Sequence, residues 1–181
     1  MENRRYVVIA EAPLEICSRI DSLRTELASK FGSYAALAYP PHITLRTGLI
    51  VPNGEKQKVF DAFSRLTARF GPIAVQTDGL TFGEYAPDKY LVAYKIKPNG
   101  RLKALHETLL QYVHYRKSDR TDFHPHMTLL FDDISKERYE RASTFLNSGE
   151  ADIPPLAWEI KEYGLYYLAG EKWKPEALFS L

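Results

Sequence analysis

The chain has little of what usually announces a function class. Its single cysteine, Cys17, can form neither an internal disulfide nor a thiolate zinc site, which fits a reducing cytoplasm and a place in a core. With 24 Lys and Arg against 23 Asp and Glu, the net charge of +1 argues against a broad basic surface that coats nucleic acid and leaves room only for a local anion site. No run approaches the ~20 apolar residues of a membrane span. Arg4-Arg5 leads into only a short apolar stretch before Glu11, so neither export nor membrane anchoring is expected. No nucleoside-triphosphate motif is visible. What remains is the composition of a soluble globular protein: 181 residues, 45% hydrophobic and 26% charged, enough for one large domain or two small, closely packed lobes.

Against that plain background one pentapeptide occurs twice, as Pro41-His42-Ile43-Thr44-Leu45 and Pro125-His126-Met127-Thr128-Leu129, with the histidines 84 positions apart. In a strand, residues i and i+2 share a face. Each His therefore stands beside its Thr, while Ile43, Leu45, Met127 and Leu129 point the other way into a core.

The 84-residue period extends beyond the motif. Arg5-Tyr6-Val7-Val8 aligns with Lys89-Tyr90-Leu91-Val92 at the same offset. Helical stripes lie between strand and motif: Ile16, Ile20, Leu23, Leu27 and Phe31 in the first copy, Leu102, Leu105, Leu109 and Val113 in the second. A further helix follows each motif, the second with Ser135 as its predicted N-cap. Gly79-Leu80-Thr81-Phe82 then matches Gly164-Leu165-Tyr166-Tyr167 at an offset of 85. These elements predict one two-lobed domain over 1–181, built from two β-α-β-α-β repeats of roughly 1–84 and 85–181 about a pseudo-two-fold axis. Strands are free to swap between lobes, and a last strand is expected near Ala177 to Leu181. Alternating helices and strands are also compatible with a doubly wound parallel sheet. The segments 73–82 and 89–96, joined through Ala86-Pro87-Asp88, read instead as an antiparallel hairpin. The expected class is α+β, with antiparallel or mixed sheets lining a central cleft and helices outside.

Two imidazoles and two hydroxyls in one cleft can move protons on opposite sides of a tetrahedral anion while donating hydrogen bonds to it. Phosphodiester chemistry suits the set. A neutral histidine takes a proton from the attacking water or hydroxyl, a protonated one gives a proton to the leaving alkoxide, and the threonines hold the non-bridging oxygens. No metal or cofactor is required. Arg46 extends the cleft face of the first motif strand, where its 84-residue counterpart is Leu130, and is a candidate phosphate anchor.

The two Pro-His-aliphatic-Thr-Leu strands resemble the paired His-x-Thr signatures of the two-histidine phosphoesterases, which include 2′-5′ RNA ligase-like proteins and cyclic phosphodiesterases. The resemblance covers almost the whole chain, including Phe123 and the closing Gly164-Leu165-Tyr166-Tyr167 with Trp173. It implies a bilobal fold and metal-free action on 2′,3′-cyclic phosphates of nucleotides or RNA ends, or on 2′-5′ phosphodiester bonds, with possible reversal as ligation. It also implies catalytic roles for His42 and His126 and phosphate binding by Thr44 and Thr128. Many relatives carry a basic residue five positions beyond the second histidine. Here that residue is Phe131, which points to altered phosphate contacts and a different or smaller substrate.

Plainer readings stand beside these. A lone His-x-Thr strand is as readily a hydrogen-bonded histidine and a β-favouring threonine; repetition is what tips the balance. A non-catalytic RNA-end or nucleotide-binding module on the same fold remains the alternative. His124, His126 and His42 offer three nitrogens to a metal, but no Asp or Glu recurs in step with them, so no metal site is assigned. His106 and His114 are expected to be ordinary helix residues. The charged loop Tyr115 to Arg120 is expected to be a solvated connection, with a lid over an RNA end as the functional alternative. The expected protein is a cytoplasmic monomer with a nucleotide or RNA substrate and no membrane partner.

Overall fold

The run Tyr6-Val7-Val8-Ile9-Ala10 is buried on both faces and makes β1 (Asn3–Glu11) a central strand in the computed structural model, which describes residues 3–111, 122–170 and 172–181. It pairs antiparallel with β2 (His42–Pro52) on one side and with β7 (Glu162–Ala169) on the other. Beyond β7 lies β8 (Lys172–Ser180), giving the order β2-β1-β7-β8. The second sheet runs β5 (His126–Phe131), β4 (Lys89–Ile96), β3 (Ile73–Ala86) and β6 (Ala157–Ile160), again antiparallel throughout. With four α-helices among the described residues, α1 (Leu14–Phe31), α2 (Lys56–Thr67), α3 (Gly100–Gln111) and α4 (Lys136–Asn147), the class is α+β, as the sequence predicts. The doubly wound alternative falls with the antiparallel ladders.

Register shows how far the 84-residue period reaches. Glu11, Ala10, Ile9 and Val8 face His42, Ile43, Thr44 and Arg46; Lys95, Tyr94, Ala93 and Val92 face His126, Met127, Thr128 and Leu130. Both ladders slip at the same place, passing over Leu45 in one and Leu129 in the other. The third strand of each repeat sits in the other repeat's sheet: β3 pairs with β4 through the hairpin, and β7 returns to β1. The Pro87-Asp88 link closes that hairpin, with Asp88 at a positive φ of 58°.

The helix stripes are buried as their spacing predicts, Ile16, Ile20, Leu23, Leu27 and Phe31 in α1 and Leu102, Leu105 and Leu109 in α3. Val113, His114 and the loop 115–120 lie outside the described residues. Gly32 ends α1 in the left-handed conformation and donates its N–H to Ala28 O at 2.8 Å. Ser135 caps α4, as predicted. Two strands depart from expectation. β8 begins at Lys172 rather than near Ala177, because an edge strand tolerates the Lys172, Lys174 and Pro175 that mask its pattern, and the ladder slips beside Pro175. β6 has no counterpart in the sequence pattern; at four residues it is too short to show a period.

Helices cross between repeats, α1 packing on β5 and α3 on β2. The turn after β5 is tied back to the end of α1 by Asp133, whose carboxylate accepts from Ser33 Oγ at 2.6 Å, Tyr34 N at 2.6 Å and Ala35 N at 3.0 Å. Charge-assisted bonds of this kind contribute more than neutral ones. Asp133→Ala is expected to lower stability by about 1–3 kcal/mol in urea unfolding, with Asp133→Asn recovering part of the loss.

Candidate active site

Two rigid prolyl segments deliver the histidines. The chain enters β2 through Tyr39-Pro40-Pro41 and β5 through His124-Pro125, where the fixed proline φ limits the swing of the residue that follows. Ala12 N donates to Pro41 O at 3.1 Å, and its counterpart Ile96 N donates to Pro125 O, also at 3.1 Å. Each ring is then turned by a carbonyl two residues back. His42 Nδ1 lies 2.7 Å from Pro40 O, and His126 Nδ1 lies 2.8 Å from His124 O. A carbonyl only accepts, so both Nδ1 atoms carry hydrogen, and on a neutral ring the lone pair is then on Nε2. Every bond in this set recurs 84 residues later.

Ile43, Leu45, Met127 and Leu129 are buried in the core, as the alternation predicts. His42, Thr44, His126 and Thr128 line one cleft of about 680 Å³. Arg46 lines it too, but the slip at Leu45 breaks the two-residue alternation, so Leu45 and Arg46 are both buried. Its Nη1 donates to Leu109 O at the end of α3, at 2.6 Å. Arg46 is thus part of the cleft wall rather than an exposed anchor.

The two imidazoles do not share one environment. Burial pulls the pKa of His42 down from 6.5 to about 4, helped by the nearby charges of Arg24 and His126, while the Pro40 hydrogen bond opposes the shift. At neutral pH His42 is a neutral imidazole whose Nε2 accepts. The cleft walls are aromatic. Tyr39 meets His42, Phe131 and Trp173 edge-on at centroid distances of 6.2, 6.4 and 6.4 Å. Phe131 stacks on Tyr85 at 5.0 Å, and the Tyr85 hydroxyl donates to Asp132 Oδ1 at 2.7 Å. Five residues beyond His126, Phe131 thus gives the cleft a stacking surface.

His106, expected to be an ordinary helix residue, is instead buried and lines the cleft, stacking on Phe123 at 4.2 Å; its Nδ1 donates to Leu45 O at 2.6 Å. His124 lines the cleft edge, and its carbonyl turns His126. Among the described residues no three His, Cys, Asp or Glu side chains gather into a metal-ligating set. Sequence reasoning passes over Arg24, which is fully buried beneath the site. A signal is present: Arg24 falls on the apolar stripe of α1 between Leu23 and Leu27. Tyr39, Tyr85 and the stacking role of Phe131 carry no comparable mark.

A family model described as the 2′-5′ RNA ligase superfamily matches residues 12–172, and the chain belongs to that superfamily. A protein of Shouchella clausii (strain KSM-K16) named "Putative phosphoesterase" is 34% identical over 90 residues, 50% of this chain and 52% of that protein. The chain thus spans about half the length of this curated relative. Among solved structures, apo LigT of E. coli superposes with a TM-score of 0.64 at 20% identity, covering 100% of this chain and 99% of LigT. A Thermus thermophilus protein superposes at 0.67 with 17% identity, covering 98% of this chain and 97% of its own. LigT has also been solved with 3′-AMP, NADP+, ATP and phosphate. At these identities the structural likeness speaks for the fold. No helix among the described residues is long and apolar enough to cross a membrane.

The lowered His42 pKa makes stability pH-dependent. The unfolded chain binds a proton at this residue near pH 6.5, the folded chain only near pH 4, so this group's contribution to stability falls as pH drops from 6.5 towards 4. Asn in place of His42 keeps an N–H near Pro40 O but does not titrate. The urea midpoint of His42→Asn is expected to fall less than that of the unchanged protein between pH 7 and pH 5.

Proposed function

We propose that the protein is a metal-independent phosphoesterase that hydrolyses 2′,3′-cyclic phosphates of nucleotides or RNA ends, or 2′-5′ phosphodiester bonds, with His42 as general base and His126 as general acid. The observation that carries the reading is the pair of imidazoles, each turned by the same carbonyl bond so that Nε2 is its working nitrogen, lining one cleft beside two threonines. The neutral state of His42 at pH 7 suits it to be the base.

In this scheme water attacks phosphorus as His42 Nε2 removes its proton. The bond from phosphorus to one ribose oxygen breaks as His126 Nε2–H protonates that oxygen, leaving a phosphomonoester. Proton exchange with solvent then restores both rings. The Thr44 and Thr128 hydroxyls donate to the non-bridging oxygens, where charge builds. The Arg46 guanidinium adds positive charge from the wall. Tyr39, Phe131 and Trp173 offer aromatic surface to a nucleobase, which fits the 3′-AMP held by the similarly folded LigT. The same groups run the reverse reaction, ligation, by microscopic reversibility, but the abundance of water favours hydrolysis as the net direction.

Assay of the purified protein on 2′,3′-cyclic nucleotides and 2′-5′-linked dinucleotides in the presence of EDTA is expected to show turnover. His42→Ala and His126→Ala are each expected to lower kcat/KM by about 10²–10⁴-fold. Saturable binding with no turnover by the unchanged protein would defeat the enzyme reading in favour of a nucleotide-binding module. The acid limb of kcat/KM, which reports the free enzyme, is expected near pH 4 rather than near 6.5, since the base stays neutral down to that pH.

A further inference from the structure

We propose that Arg24 is a positioning residue for the two-histidine site: its buried guanidinium ties the segment that delivers His42 to the strand that carries His126, and holds a fixed positive charge behind His42. The inference rests on the proposed role of His42 as base. Arg24 lies on α1 with its side chain wholly out of solvent, and its bonds reach both repeats. Nε donates to Thr128 O on β5 at 2.8 Å, and Nη1 donates to Tyr39 O at 3.0 Å. The Tyr39 carbonyl is one peptide ahead of the Pro40 carbonyl that turns the His42 ring. One planar fork therefore fixes the approach to the first histidine against the backbone of the second motif.

A purely structural reading of Arg24 meets two difficulties. Burying a guanidinium is costly unless its donors are matched, yet Nη2 is buried without a hydrogen-bond partner among the described residues. Its carboxylate neighbour among the described residues, Asp21, lies 3.4 Å from Nη1 and is 52% exposed, so solvent screens it. An apolar side chain on the α1 stripe would fill the volume at less cost. What it would not supply is charge and direction at the histidine.

The groups that face His42 define what can act on it. Arg24 on α1 and His126 on β5 act on its charge, Tyr39 from the segment ahead meets its ring, Glu11 opposes it on β1, and Cys17 on α1 lies 3.9 Å from Pro41 O, while Arg46, Asp122 and His124 line the same cleft. The Cys17 thiol is pushed up to about 11 by burial and stays protonated in the acid range. Burial also raises the Tyr39 hydroxyl, which stays neutral. Burial lowers the Arg24 pKa, but a guanidinium stays charged across that range. Arg24 is thus a permanent cation that acts on His42, distinct from Arg46 on the cleft wall.

NMR titration of the His42 imidazole, without substrate, tests the proposal in Arg24→Gln, Arg24→Met and Arg24→Lys. The expected result is a midpoint that rises in Arg24→Gln and Arg24→Met and stays near the original in Arg24→Lys. For every unit the midpoint rises, kcat/KM below that midpoint loses about tenfold through the loss of neutral His42. An unchanged midpoint in Arg24→Gln or Arg24→Met would overturn the proposal. If Arg24→Gln does not fold, Arg24→Met, which fills the volume without charge, decides alone, a rise supporting the proposal and no change overturning it. Because the midpoint is read without substrate, a protein inert towards every phosphoester would remove the enzyme reading and leave the outcome of this titration separate.

Discussion

Both motif strands are edge strands, and a helix of the opposite repeat packs on each. β2 ends one sheet and β5 ends the other, so the row of backbone groups that a neighbouring strand would satisfy must be met by something else. The fold solves this by crossing its helices. α1, from the first repeat, sends Arg24 to Thr128 O on β5, and α3, from the second, sends His106 to Leu45 O on β2. Arg46 returns a bond from β2 to Leu109 O on α3. The two repeats therefore hold each other's functional strand, and the exchange of β3 and β7 between sheets adds a second mutual tie. The site lies where these dependencies meet.

Duplication gives the backbone of the site its symmetry, and the side chains then break it. The prolyl entries, the Nδ1 bonds and the slips at Leu45 and Leu129 repeat at one spacing, so the two imidazoles are presented alike. The surroundings are unequal: a buried guanidinium lies on the His42 side, Arg46 stands where the other copy has Leu130, and Phe131 stacks with Tyr85 where its partner position holds Thr47. General acid and base need opposite protonation states at one pH. In the proposed mechanism, unequal surroundings on an equal frame serve that need.

The strand and helix order, the hairpin and the core-facing set Ile43, Leu45, Met127 and Leu129 could be read from the chain because each rests on local periodicity or on repetition. The convergence of His42, Thr44, His126 and Thr128 on one cleft followed from the repeat. What escaped depends on tertiary context. The bulge at Leu45 turns Arg46 inward, and no local pattern marks a one-residue slip. β6 is too short to show alternation, and the start of β8 is hidden by the lysines and proline that an edge permits. Tyr39 and Tyr85 are two among 12 tyrosines, so composition could not single them out. Arg24 was legible in principle, as a charge on an apolar helical stripe.

The central claim is that two histidines from different repeats act on one phosphate. Long-range ¹H–¹⁵N NMR of the imidazoles during titration with inorganic phosphate tests it most directly. The account predicts that the Nε2 signals of His42 and His126 move together with a single saturation. Movement of only one ring, or of each with its own midpoint, would contradict it.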